Sequence, residues 1–180
     1  ASSAGSAPSC LPRKPLSQRS SLNIRRITSL ELGSGTKVIG DYAFSNCSNL
    51  LKAKMNTGLT EIGKNAFGST GLIGKLTIPS GVKKIGEYAF AGTEITSVTF
   101  PETLEEIDAY AFTALALTRV ELPDSVTTLG GAVFYECRNM KYVKLPALTD
   151  NYCYLTSDLC EDLALNSVCC FLFTLDIIPF

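Results

Sequence analysis

An aromatic residue that returns at an almost fixed interval constrains this chain more than any other feature. Aligned on the pair that closes Ile85-Gly86-Glu87-Tyr88-Ala89-Phe90, the residues Phe44, Phe67, Phe90, Phe112 and Phe134 fall into one evenly spaced column. A period of roughly 22 residues is the signature of a solenoid, whose units bury their apolar sides only by stacking on one another. Other columns keep the same step. Twelve residues before each Phe stand Leu32, Met55, Ile78, Phe100 and Leu122. Two before those come Leu30, Ala53, Leu76, Val98 and Val120, and three earlier again Ile27, Leu50, Ile73, Ile95 and Leu117. Met140, Val143 and Leu145 begin a further half-copy that lacks a Phe.

Each copy thus writes apolar-x-x-apolar-x-apolar, whose final alternation points side chains to one side of a short strand. Pro79, Pro101, Pro123 and Pro146 follow the strand directly. Lacking an N–H for the ladder, they predict strands of about three residues. A second apolar group comes next, with Ile39, Ile62, Ile85, Ile107 and Leu129 in one column. The i to i+4 step from Ile85 to Ala89 predicts one or two turns of helix here rather than a second strand. Gly40, Gly63, Gly86 and Gly130 open this turn, and Asp108 takes the slot once. Small Ala residues beside the Phe column leave room for the ring. The predicted fold class is therefore an α/β repeat solenoid: a curved stack with short parallel strands in one narrow sheet on the concave face and short helical turns opposite. Its second copy, Lys52-Ala53-Lys54-Met55-Asn56, is the weakest, with a small residue in the strand and no Pro.

The stretch LTIPSGVKKIGEYAFAGTEITSVTFPETLEEIDAYAF resembles the leucine-rich repeats of the bacterial-surface-antigen-A (BspA-like) type, in which a Pro after the strand and the IGxxAF segment replace the Asn ladder of ordinary repeats. The resemblance covers roughly residues 27 to 146. It implies an adhesion or protein-interaction module, displayed on a cell surface or secreted.

Three segments follow: a flexible basic leader over 1–26, a repeat domain of five full repeats and a half over 27–146, and a tail over 147–180. Net charge is −1, but it is unevenly spread. The stretch from Ala1 to Leu30 carries Arg13, Lys14, Arg19, Arg25 and Arg26 with no acid, whereas 147–180 carries Asp150, Asp158, Glu161, Asp162 and Asp176 with no base. The Ser-rich, acid-free leader also fits the remnant of an organelle transit peptide. The Cys-rich acidic tail reads as a cap on the last coil, which would otherwise expose its apolar cross-section, or as a docking segment. No apolar run reaches the roughly 18 residues of a membrane span.

Chemistry is sparse. The chain has no His, which removes the usual general base and the commonest transition-metal ligand. Seven cysteines are present, but Cys153, Cys160, Cys169 and Cys170 lack the short spacing of a zinc site. Cys47 and Cys137 sit three residues after a column Phe, where other copies have Thr or Leu, and read as small buried side chains. Glu105, Glu106 and Asp108 stand where Lys83-Lys84 and Thr127-Thr128 stand in other copies and read as a solvated turn. Neither a catalytic residue, a cofactor nor a metal is expected. With near-neutral charge and no motif pairing basic with stacking aromatic residues, specific nucleic-acid binding is not expected either.

What remains is a surface. The outward strand positions form two columns, Glu31, Lys54, Thr77, Thr99, Glu121, Lys144 and Ser29, Lys52, Lys75, Ser97, Arg119, Tyr142. Lys52, Lys54, Lys75, Arg119, Glu121, Tyr142 and Lys144 are the candidate partner-binding residues, for a protein or an anionic glycan. The competing expectation is a structural subunit fastened by its two tails into a larger assembly, in an organelle if the leader is a transit remnant.

Overall fold

The computed structural model describes residues 26–146. The tail, all but the last residue of the basic leader, and Cys10, Cys153, Cys160, Cys169 and Cys170 lie outside the described residues. Eleven short strands run through the described region: β1 (Ser29–Glu31), β2 (Val38–Ile39), β3 (Lys52–Lys54), β4 (Glu61–Ile62), β5 (Ile73–Thr77), β6 (Lys84–Ile85), β7 (Glu94–Thr99), β8 (Glu106–Ile107), β9 (Arg119–Glu121), β10 (Thr128–Leu129) and β11 (Tyr142–Lys144). All pairings are parallel and join equivalent positions of successive repeats, except at the start of β5, where Ile73 and Gly74 pair one position out of step with Glu94 and Ile95. The result is a β-solenoid of about five turns, each contributing one odd-numbered and one even-numbered strand.

The core is the stack of columns. Phe67, Phe90 and Phe112 are wholly buried and Phe134 nearly so, together with Ile62, Ile85 and Ile107. Ring centroids of consecutive column Phe residues are 5.3, 5.3, 5.4 and 5.9 Å apart, with planes within 21° of parallel. Phe100, in a strand column, meets Phe112 edge-on at 5.4 Å. Ala66, Ala89 and Ala111 are fully buried beside the rings, so a larger side chain there would displace one. Where Pro follows, β5, β7, β9 and β11 each stop two residues before it. β5 and β7 reach five and six residues, longer than the Pro spacing alone predicts, because they extend toward their N-terminal ends.

Two expectations are corrected. The segment after the Pro corner is not a helical turn; a two-residue strand occupies it, and the even-numbered strands form one continuous five-stranded sheet in the order β2-β4-β6-β8-β10. Ile85 and Ala89 do both face the core, as their spacing implied. The backbone between them, however, is not bonded as a helix. Tyr88, Phe90 and Gly92 donate their N–H groups to Ala109, Ala111 and Thr113 of the next coil, while Ala89 and Ala91 donate to the carbonyls three residues back. Tyr88 and Gly92 have φ of 56° and 64°, and every coil repeats this left-handed pair four residues apart. A non-Gly residue in that region costs on the order of 1 kcal/mol or more. The inter-coil hydrogen bonds, which a right-handed helix would have kept to itself, offset that cost.

The odd-numbered strands also depart from the expected single sheet. They form three separate pairs, β1-β3, β5-β7 and β9-β11, rather than one sheet. Beside the gap between β3 and β5 the backbone is locally irregular: the β5-β7 register shifts at Gly74/Lys75, where Gly74 has φ of 80°.

Coil-to-coil contact also explains the glycine column. A Cβ on Gly86 would lie 2.7 Å from the backbone carbon of Gly63 and the nitrogen of Lys64, and one on Gly130 only 2.2 Å from the nitrogen of Ala109. Asp108 is the exception to the glycine column. At its coil the Tyr88 N–H to Ala109 O distance is 3.2 Å, against 2.8 Å for the equivalent bonds from Tyr42 and Asn65.

Candidate functional site

Outward side chains of the odd-numbered strands make one face in the register their columns imply. Ser29 lies opposite Lys52 and Glu31 opposite Lys54; Lys75 lies opposite Ser97; Arg119 lies opposite Tyr142 and Glu121 opposite Lys144. Lys52, Lys54, Lys75, Arg119 and Glu121 are exposed, Tyr142 and Lys144 half-buried. The structure divides these seven into two groups, Lys52, Lys54 and Lys75 on β3 and β5, and Arg119, Glu121, Tyr142 and Lys144 on β9 and β11, with uncharged Ser97 and Thr99 of β7 between them.

Charge along the face is less cationic than residue counting implies. Lys54 Nζ lies 2.7 Å from Glu31 Oε1, and that hydrogen bond, helped by the carboxylate's charge, raises the ammonium pKa above its ordinary value. Arg119 donates through Nε to Glu121 Oε1 at 2.7 Å and through Nη2 to the same oxygen, while its guanidinium carbon sits 3.7 Å from the Tyr142 ring centroid. That cation–π contact explains why Tyr142 is half-buried. Lys52, Lys75 and Lys144 make no ion pair among the described residues, so these three supply the free positive charge of the face. Where the ladder is interrupted between β7 and β9, a groove of about 400 Å³ opens, bordered by Ser97, Thr99, Phe100, Arg119, Glu121 and Lys144.

Sequence columns missed two exposed apolar residues beside this face. Leu51, just before β3, and Ile73, the first residue of β5, are 47% and 53% exposed. Ile73 belongs to a column that is buried at Leu50, Ile95 and Leu117. Only the additional Gly71 and Gly74 around it hinted that its backbone takes a different path.

Elsewhere several acidic residues are paired with lysines of a neighbouring coil. Lys83 meets Glu105 at 2.6 Å, and Lys84 meets Glu106 at 2.9 Å and Asp108 at 3.3 Å, so the acids expected as a solvated turn form an inter-coil charge ladder. Lys84 is held above its ordinary value, chiefly by its hydrogen bond to Glu106, whereas desolvation raises Asp108 despite Lys84 beside it. Cys47 and Cys137 are buried, as their slot implied. Cys137 Sγ donates to Phe112 O at 3.2 Å, and burial pushes its thiol up to about 11. Among the described residues no group of three His, Cys, Asp or Glu side chains is placed to hold a metal ion, and no helix is long and apolar enough to cross a membrane.

The described geometry agrees with what comparison with known proteins finds. The family model of the BspA type leucine rich repeat region matches in six copies, over residues 17–93 and 69–168. A leucine-rich repeat protein from Eubacterium ventriosum is similar in structure, with a TM-score of 0.64 and 30% identity over 72% of this chain and 36% of its own. The pneumococcal vaccine antigen PcpA is similar with a TM-score of 0.60 and 28% identity, over 67% of this chain and 31% of its own. The chain thus spans about a third of the length of those two proteins. No curated protein matches it.

Proposed function

Because the chain belongs to the BspA-type leucine-rich repeat family, we propose that it is a non-catalytic interaction module that holds a macromolecular partner on the face made by β1, β3, β5, β7, β9 and β11. One observation carries this reading: Lys52, Lys75 and Lys144 stand at register positions of that face in no ion pair among the described residues, whereas Lys64, Lys83 and Lys84 on other surfaces of the stack are each paired with an acid. Lys37 and Lys141 are likewise outside ion pairs among the described residues, but each stands outside the strands. A repeat stack presents a long, open surface, which suits recognition by many weak contacts. The family and the description of PcpA as a vaccine antigen favour a place at a cell surface, where such a face works in adhesion.

The test is capture of partners from candidate host and cell-surface extracts by the chain and by a variant with Lys52, Lys54 and Lys75 all changed to Glu. Loss of partners from the variant, with unchanged thermal unfolding, supports the face. Identical partners from both chains sink it.

A further inference from the structure

Two exposed aliphatic side chains mark one of the two places where the face is broken, between β3 and β5. Leu51 and Ile73 stand side by side on neighbouring coils, joined by a bond from Ile73 N–H to Leu51 O of 3.4 Å. Gly71 N–H to Cys47 O, also 3.4 Å, is a second main-chain bond between these two coils. Both are longer than a good N–H···O bond, and no ladder joins β3 to β5. Next to Leu51 is Lys52, and two residues beyond Ile73 is Lys75, both exposed and in no ion pair among the described residues. Within one repeat step the junction therefore offers two aliphatic side chains, two uncompensated ammonium groups and strand edges outside a ladder.

Each of these features is ordinary alone. Single exposed apolar residues need no explanation, and lysines commonly blunt strand edges against aggregation. Edge protection does not account for the combination, because exposed Leu51 and Ile73 add the hazard that the lysines would remove. An anionic glycan would engage the ammonium groups but bring hydroxyls to the aliphatic ones. An extended polypeptide satisfies all three, since its alternate side chains face one way and its main chain can pair with a strand edge.

Resting on the reading that this face binds a partner, we propose that the β3–β5 junction takes an extended, acidic segment of a partner protein. Aliphatic side chains of that segment lie against Leu51 and Ile73, and its carboxylates meet Lys52 and Lys75.

The experiment uses the full chain and three fluorescent probes: a peptide of alternating Glu and Leu, poly-Glu of equal length, and heparin. The alternating peptide is expected to bind most tightly. Changing Leu51 and Ile73 together to Ser should weaken it about tenfold, a loss of about 1.4 kcal/mol, without altering heparin binding. Changing Lys52 and Lys75 to Gln should weaken all three probes, more so at low salt. If the parent chain does not bind the peptide, the inference fails. Equal affinity for poly-Glu, unmoved by the Ser changes, also overturns it while leaving the charged face intact, as does tighter binding of heparin. If no probe responds to any of the four changes, the inference and the face both fail. Thermal unfolding of each variant, matched to the parent, separates these outcomes from misfolding.

Discussion

The rings of Phe67 and Phe90 lie 5.3 Å apart, centroid to centroid, and 5° from parallel, although a full repeat separates them in the chain. Each ring of the column is a neighbour's packing surface as well as its own coil's anchor. Loss of a ring inside the stack therefore opens a hole that two coils share.

Phe90→Ala should cost about 3 to 5 kcal/mol, the range for a fully buried aromatic. Phe44 is half-buried and stacks on Phe67 at one face, so Phe44→Ala should cost roughly 2 kcal/mol or less. Urea unfolding of the two variants measures the difference. Equal losses would show that the column does not act as one spine.

Gly40 and Gly86 hold the same slot in different coils, yet their surroundings differ. Nothing among the described residues lies within 4 Å of a Cβ on Gly40, while one on Gly86 meets backbone at 2.7 Å. Gly40→Ala is expected to shift stability by no more than about 1 kcal/mol, in the stabilising direction, by reducing the freedom of the unfolded chain. Gly86→Ala must push two coils apart and should destabilise by about 2 kcal/mol or more. Thermal melts in parallel decide it, and a neutral Gly86→Ala would contradict the coil spacing.

The Cys137 thiol should be inert in the folded chain. Its pKa of about 11 leaves almost no thiolate at pH 8, and the side chain is 5% exposed. Alkylation followed by mass spectrometry should find Cys137 unmodified until denaturant is added. The sign of the pH effect follows from the same shift. The folded state keeps the proton longer than the unfolded chain, so this contribution is complete below the ordinary thiol pKa and is lost as pH rises from about 9 to about 11.

Asp108 occupies a glycine slot, and desolvation outweighs Lys84 in setting its pKa, which is raised. A carboxyl whose folded pKa is raised favours the folded state when protonated and opposes it once ionised above its ordinary range. Asp108→Asn should therefore be at least as stable as the parent at pH 7, by well under about 1 kcal/mol because the site is partly solvated. The advantage should vanish on acidification through the carboxylate range. A clear loss at pH 7 would mean that the Lys84 contact dominates.

Much of the candidate face was legible before any coordinates. The pairings of Ser29 with Lys52, Lys75 with Ser97 and Arg119 with Tyr142 follow from position within the repeat, because parallel coils of nearly equal length hold equivalent residues level. The pairing of charges was not legible. Column order sets an acid level with Lys54 and with Lys144 alike, and only the structure shows that Glu31 meets Lys54 whereas Glu121 turns to Arg119. Exposure of Ile73 in an otherwise buried column was hidden for a similar reason, since the shift at Gly74/Lys75 is a property of how β5 meets β7.

Sequence alone determined the stack: its period, its aromatic spine, the side of each strand that turns inward, and the columns that become its surface. It could do so because a solenoid coil touches only its neighbours, so position within the period fixes environment. Tertiary structure decided how the backbone after each Pro corner is bonded, where the odd-numbered strands part, and which ammonium groups remain uncompensated. Those outcomes depend on donors and acceptors brought level from different coils to within a fraction of an ångström. The step from Phe67 to Phe90 is one position longer than the step from Phe90 to Phe112, and a period that itself varies cannot supply that precision.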